Sequence, residues 1–181
     1  LINLILLPLS ACQFSPSIPS RPQQKTMVIE SQKSMYSHRY LEQQNARLTR
    51  RINNELFRKG IKPHLTAQER QKLNNVTFRF PLIGEVSQTP QDFYSNSEQK
   101  SVVMPILSLV FFEDLYTAYA WLHTNGYSVE TIDEYVTMLK YKKPSDFPNG
   151  RYPSPLEALQ IPKNALENKQ VDELSLRFRN T

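Results

Sequence analysis

Thirteen prolines against four glycines constrain this 181-residue chain more than any other feature of its sequence. An all-β sandwich turns on glycines and a phosphate-cradling loop is built from them, so the imbalance argues against both. Pro16, Pro19 and Pro22 fall close together, and five more prolines lie between Pro144 and Pro162. Both stretches favour extended chain over regular helix. The length suits one domain of ordinary size, or a small domain with a tail. With 39% hydrophobic and 22% charged residues a packed core is expected, and wholesale disorder is not. One cysteine, Cys12, excludes a disulfide framework and any multi-cysteine metal site.

The residues before that cysteine carry no charge: Leu-Ile-Asn-Leu-Ile-Leu-Leu-Pro-Leu-Ser-Ala from Leu1 to Ala11. A bilayer span needs roughly 20 apolar residues, so this run matches instead the apolar core of a secretory signal. It starts on Leu and lacks a basic front, so a few preceding residues are expected to be missing. Leu9-Ser10-Ala11-Cys12 resembles the lipobox of bacterial lipoproteins, with Leu three residues before the Cys and small residues between. The resemblance implies that Leu9, Ser10 and Ala11 are read by the signal peptidase and that the Cys12 thiol accepts a diacylglycerol. Multiple acyl chains, at about 0.8 kcal/mol per buried CH2, would then hold the mature chain on a membrane. Gln13, where an Asp would retain the protein in the inner membrane, implies the periplasmic face of the outer membrane if the source is a diderm. A buried N-terminal helix with an incidental cysteine is the alternative.

Three parts are expected: a signal peptide over residues 1–11, a lipidated cysteine with a Pro- and Ser-rich linker over 12–34, and one domain over 35–181. The fold class expected is α+β, mainly α-helical, with a small two-stranded antiparallel element. Leu41, Leu48, Ile52 and Leu56 predict a helix from Ser37 to Lys59, closed by Gly60. Thr66 and Glu69 have capping-box spacing and predict a short helix to about Asn74. Val76 to Phe80 alternates as a strand, and Gln88 to Lys100 reads as a surface loop. Ser101 to Asn125 reads as a buried central helix with Pro105 in its first turn, followed after Gly126 by a helix capped by Ser128. Leu174 to Arg179 alternates, and is expected to pair with the Val76 strand. Ending directly on a strand signal, the chain reads as a fragment cut at both ends.

Charge is uneven. Residues 1–75 hold 12 Lys and Arg against 4 Asp and Glu, while residues 76–181 hold 10 against 13. The first helix would expose Arg47, Arg50, Arg51 and Arg58, a basic face next to a lipid anchor that suits anionic headgroups or anionic envelope polymers. A solvated face with pairs such as Glu55 with Arg51 or Lys59 explains the same charges.

Catalytic patterns are incomplete. There is no Gly-x-Ser-x-Gly elbow, and His38, His64 and His123 stand far apart. The pairs Glu113-Asp114 and Asp133-Glu134 diverge by about 100° on a helix and read as surface charges. Tyr116, Tyr119, Trp121, Tyr127, Tyr135 and Tyr141 suit sugar stacking or ordinary packing. Ala120 to Ile132 is similar in spacing to a helix-turn-helix, but Glu130, Asp133 and Glu134 would repel phosphates, so nucleic acid is not an expected partner. No cofactor or metal is expected.

The leading expectation is a membrane-anchored envelope lipoprotein acting as a non-catalytic interaction module whose protein partner the sequence does not name. Two alternatives stand beside it. One is the amino-terminal portion of an anchored zinc metallopeptidase, resting on the Leu174 to Arg179 strand and a His-Glu-x-x-His helix beyond Thr181. The other is a binder of cell-wall glycan.

Overall fold

The computed structural model describes residues 35–84 and 93–180, with Asn180 described through its backbone alone. Leu9, Ser10, Ala11 and Cys12, and the linker that follows them, lie outside the described residues. Among the described residues six α-helices and a three-stranded sheet form a mainly helical α+β unit.

Helix α1 (His38–Arg51) starts where Ser37, extended at φ −71 and ψ 150, accepts a hydrogen bond from Tyr40 N at 3.2 Å. It buries Leu41 and Leu48 and runs on into a π-helical segment, Ile52–Ile61. The expected single α-helix therefore changes its winding at Ile52. The wider turn lets adjacent residues both face the protein: Leu56 joins the main core while Phe57 meets Phe78 at 4.4 Å. Gly60 belongs here because a Cβ would stand 3.3 Å from Glu55 O. Thr66 then caps α2 (Ala67–Leu73) through the expected box, Thr66 N donating to Glu69 Oε2 at 2.8 Å and Glu69 N to Thr66 Oγ1 at 3.3 Å.

The sheet has the order β1-β3-β2. Strand β1 (Thr77–Arg79) pairs in parallel with β3 (Ser101–Val103), and β2 (Tyr94–Asn96) pairs antiparallel with β3. This adds a strand to the expected two and changes the partner of the Val76 region. Pro105 supplies the reason. It stays extended at φ −61 and ψ 136 and disfavours helix before it, so Ser101 to Met104 extends rather than opening the helix. Strand β2 came from residues that read as loop, since Tyr-Ser-Asn carries one apolar ring and no alternation.

Helix α3 (Ile106–Thr124) is the axis of the unit. It is apolar on nearly all sides, as a buried helix is, and packs against α1, α4 (Thr131–Tyr141), α5 (Pro155–Ala158) and α6 (Lys169–Asn180). Gly126 at φ 74 ends it: Tyr127 N bonds Leu122 O at 2.9 Å and Gly126 N bonds His123 O at 3.3 Å, a Schellman closure. The main core joins Leu41, Leu48, Ile52, Ile106, Leu107 and Val110 to Leu139 and Tyr152, and a second cluster gathers Ala118, Leu122, Ile161 and Ala165.

The proline-rich stretch wraps over this core with short helical turns, as expected, pinned by buried Tyr152, whose hydroxyl donates to Lys142 O. The tail corrects the expectation. Leu174 to Arg179 is part of α6, not a strand. Asn168 Oδ1 accepts from Gln170 N at 2.9 Å at the start of the helix, and Val171, Leu174, Ser175 and Phe178 form its inner face at helical spacing. Leu176, central to the alternation, is left 39% exposed. With that strand gone, the arrangement that motivated a metallopeptidase is not present in the described residues. No helix of the described residues is long and apolar enough to cross a membrane.

Candidate binding cleft

Glu113 and Asp114, read from the sequence as surface charges, are both buried near the middle of α3. The 100° between them sends each to a different neighbour. Glu113 faces α1, where Arg47 Nη1 donates to Oε1 at 3.2 Å, Arg47 Nη2 reaches Oε2, and Arg51 forms an ion pair with the same carboxylate. Of the four arginines assigned to an exposed basic face, Arg50 and Arg58 are exposed, Arg47 is half-exposed and Arg51 is largely covered. The face is thus split, because a buried carboxylate on α3 draws two of its members inward. Glu55 pairs with Lys59 at 2.9 Å, one of the two pairings anticipated, while Arg51 is taken by Glu113.

Arg179 of α6 lies within electrostatic reach of Arg47 and Arg51. Its Nη2 donates to Ser175 Oγ at 2.7 Å and Thr117 Oγ1 at 3.3 Å, and burial, then its field and that of Arg47, pull the Arg51 guanidinium down. Burial and then Arg47 lower Arg179 in turn.

Asp114 looks the other way, toward the residues that lead into α1. Tyr36 Oη donates to Asp114 Oδ2 at 2.8 Å across 78 residues of sequence. Burial pushes the Asp114 carboxyl up to about 6, a rise that the Tyr36 hydrogen bond opposes without cancelling. Burial, reinforced by Asp114, raises Tyr36 far above the ordinary phenol range, so its proton stays on oxygen. Tyr40 stacks beside Tyr36 with ring centroids 5.8 Å apart, and is raised in the same way.

These groups line one side of a cleft of about 980 Å³ between the start of α1, the middle of α3 and the region of α5. Arg151 and Glu157 also line it, in a two-pronged pair, Nη1 to Oε2 at 2.9 Å and Nη2 to Oε1 at 2.7 Å. The pairing raises Arg151 and lowers Glu157. Arg151 Nη1 also donates to Met35 O at 3.4 Å, so this wall is fastened to the first residues of the folded unit. At the rim Gln160 has φ 54, a left-handed position normally given to glycine. It closes α5 as Gly126 closes α3, with Ile161 N bonding Leu156 O at 2.9 Å and Gln160 N bonding Glu157 O at 3.2 Å. Strain of this kind costs on the order of 1 kcal/mol and clusters at binding sites.

Gln160 also borders a second groove, of about 720 Å³, walled by Trp121 and Tyr127. Their rings stack at 5.3 Å and 9°, with Ser128, Thr131 and Glu134 nearby. Tyr135, also in the aromatic series, is buried instead, its hydroxyl donating to Pro153 O at 3.1 Å. Tyr141 is exposed, and Tyr116 and Tyr119 pack on Phe178. The histidines stay apart: His38 faces Glu42 at 3.5 Å, His64 is exposed, and His123 stacks on Tyr119. Among the described residues no three His, Cys, Asp or Glu side chains gather to hold a metal. Asp133 and Glu134 are exposed, as expected.

The sequence reading missed the cleft because its central contact joins Tyr36 to a carboxylate far along the chain. The one local sign was an acidic pair in the middle of an otherwise apolar helix, where a charge needs a partner. No family profile, curated protein or solved structure matches the chain.

Proposed function

We propose that this chain is a membrane-anchored envelope lipoprotein, acylated at Cys12 and facing the periplasm, that works as a non-catalytic interaction module and presents the Asp114 cleft to its partner. The observation that carries the reading is the way the linker joins the folded unit. Met35 and Tyr36, the first described residues after it, are buried and fastened by Asp114, Arg151 and Tyr135 at the cleft itself. A tether attached there delivers the cleft, rather than an arbitrary surface, at a set distance from the membrane. The lipobox pattern Leu9-Ser10-Ala11-Cys12 supplies the other end of the tether.

Labelling cells with radioactive palmitate tests the anchor: incorporation is expected in the wild type and lost in Cys12→Ala. Label that persists in the variant contradicts it.

A second reading has a specific observation in its favour. The nearly parallel Trp121 and Tyr127 rings, flanked by hydroxyls and a carboxylate, form a platform of the kind that carries a sugar ring. Retention on purified cell-wall sacculi that falls in Trp121→Ala supports glycan as the partner, and no retention at low salt removes it.

A further inference from the structure

We propose that the Asp114 cleft is a recognition site for an alkylammonium group, with the carboxylate as its counter-ion and the Tyr36 and Tyr40 rings as its wall. The proposal rests on reading the cleft as the module's binding surface, and stands whether or not Cys12 is acylated.

Asp114 is 9% exposed, and among the described residues no Lys, Arg or His forms an ion pair with it. Buried carboxylates are ordinarily paired. The cations whose fields reach it are engaged elsewhere: Arg47 with Glu113, and Arg179 with Ser175 and Thr117. Arg151, which also lines the cleft, is held by both oxygens of Glu157. Asp114 accepts one phenolic hydrogen bond, and a carboxylate has room for about four. An ammonium group brings three donors and the missing positive charge.

A cation prefers aromatic faces to aliphatic walls, and gains more where water is excluded. Tyr36 and Tyr40 border the same cleft as Asp114, and Leu156, Ile161 and Pro162 offer apolar surface for an alkyl stem. Glu157 lies within electrostatic reach of Asp114, but Arg151 and Lys163, which also line the cleft, offset its charge. Asp114 is therefore the lining carboxylate that has no cation on it among the described residues.

Alkylammonium groups reach a periplasmic protein on lysine side chains or as free diamines. Both are tested on the full chain by calorimetry at pH 7.5. The probes are Nα-acetyl-lysine methylamide, cadaverine, and Nα-acetyl-norleucine methylamide, which keeps the stem without the charge. At least one amine is expected to bind ten-fold or more tighter than the norleucine derivative. Preference for the lysine derivative assigns a protein source, preference for cadaverine a free amine. In Asp114→Asn, which keeps the shape and an acceptor for Tyr36, affinity is expected to fall ten-fold or more.

Should that variant fail to fold, the wild type answers through pH. The groups facing Asp114 are Tyr36 just before α1, Tyr40 and Arg47 on α1, Tyr135 on α4, Glu157 on α5 and Arg179 on α6. Tyr36, Tyr40 and Tyr135 are raised and keep their protons through this range, and Glu157 is held low by Arg151. Affinity is therefore expected to weaken as pH drops through about 6, where Asp114 gains its proton. Equal affinity for the uncharged norleucine derivative, binding of neither amine, or amine affinity flat between pH 7.5 and 5 overturns the proposal. None of these results bears on acylation, and loss of the anchor would leave the amine affinity unchanged.

Discussion

Asp114 and Glu113 sit side by side in sequence and respond to mutation in opposite ways. The Asp114 carboxyl is raised from 3.8 to about 6, so the folded state takes up its proton at higher pH than the unfolded state does. Its contribution to stability is therefore fully present below pH 3.8 and declines as pH rises through about 6. A shift of this size corresponds to about 3 kcal/mol. Asp114→Asn removes that dependence, and urea unfolding at pH 7.5 is expected to show a variant at least as stable as wild type. Glu113→Gln does the reverse. It leaves Arg47 and Arg51 facing one another with Arg179 nearby, and is expected to cost about 2 kcal/mol at pH 7.5, below the loss for a fully buried pair because Arg47 is half-exposed. Gly126 and Gln160, the left-handed residues that close α3 and α5, form a second contrasting pair. Gly126→Ala forces a side chain into φ 74 and is expected to cost about 1 kcal/mol. Gln160→Gly relieves φ 54 and is expected to raise the melting temperature.

At the scale of elements, α6 separates a helical from an alternating reading of the same residues. Helical spacing puts Val171 and Ser175 fully inside and Leu176 at the surface. Val171→Ala is expected to cost about 2 kcal/mol, a typical loss for a truncated core side chain, while Leu176→Ala changes stability by less than about 0.5 kcal/mol. A strand with Leu174, Leu176 and Phe178 on one face predicts a large loss at Leu176, so denaturant midpoints of the two variants decide between them.

The same helix shows what was legible in the sequence. Helix α1, α2 with its capping box, the β1 strand and the wrapped proline-rich stretch could be read because each is marked by residues within four of one another: Leu48 with Ile52, Thr66 with Glu69, Val76 to Phe80, Pro153 with Pro155. In α6 the window Leu174 to Arg179 omitted Val171, the residue that turns an apparent alternation into a helical face. In β3 the apolar run gave no period, and Pro105 decided the start of the helix. The π winding after Ile52 leaves no sequence signature, since Leu56 keeps a spacing that an ordinary helix also explains.

For the whole molecule, the described unit begins at residue 35. The proposed leader, Cys12 and the proposed linker precede it in sequence. The unit's first two residues are locked to α3 and to the proline-rich wrap. The cleft was not legible in the sequence, since it needs the tertiary contact of Tyr36 with Asp114 to exist at all. The Leu9 to Cys12 pattern lies outside the described residues. The basic face was visible as composition, but its division between solvent and Glu113 depends on how α1 packs on α3.

The anchored-module account is tested most directly by intact and amino-terminal mass spectrometry of the protein isolated from envelope membranes of a diderm host. A mature chain that begins at Cys12, carries a diacylglyceryl thioether on that residue and lacks residues 1–11 is the predicted result. A chain recovered from the soluble fraction that retains Leu1 to Ala11 and a free Cys12 thiol would contradict it.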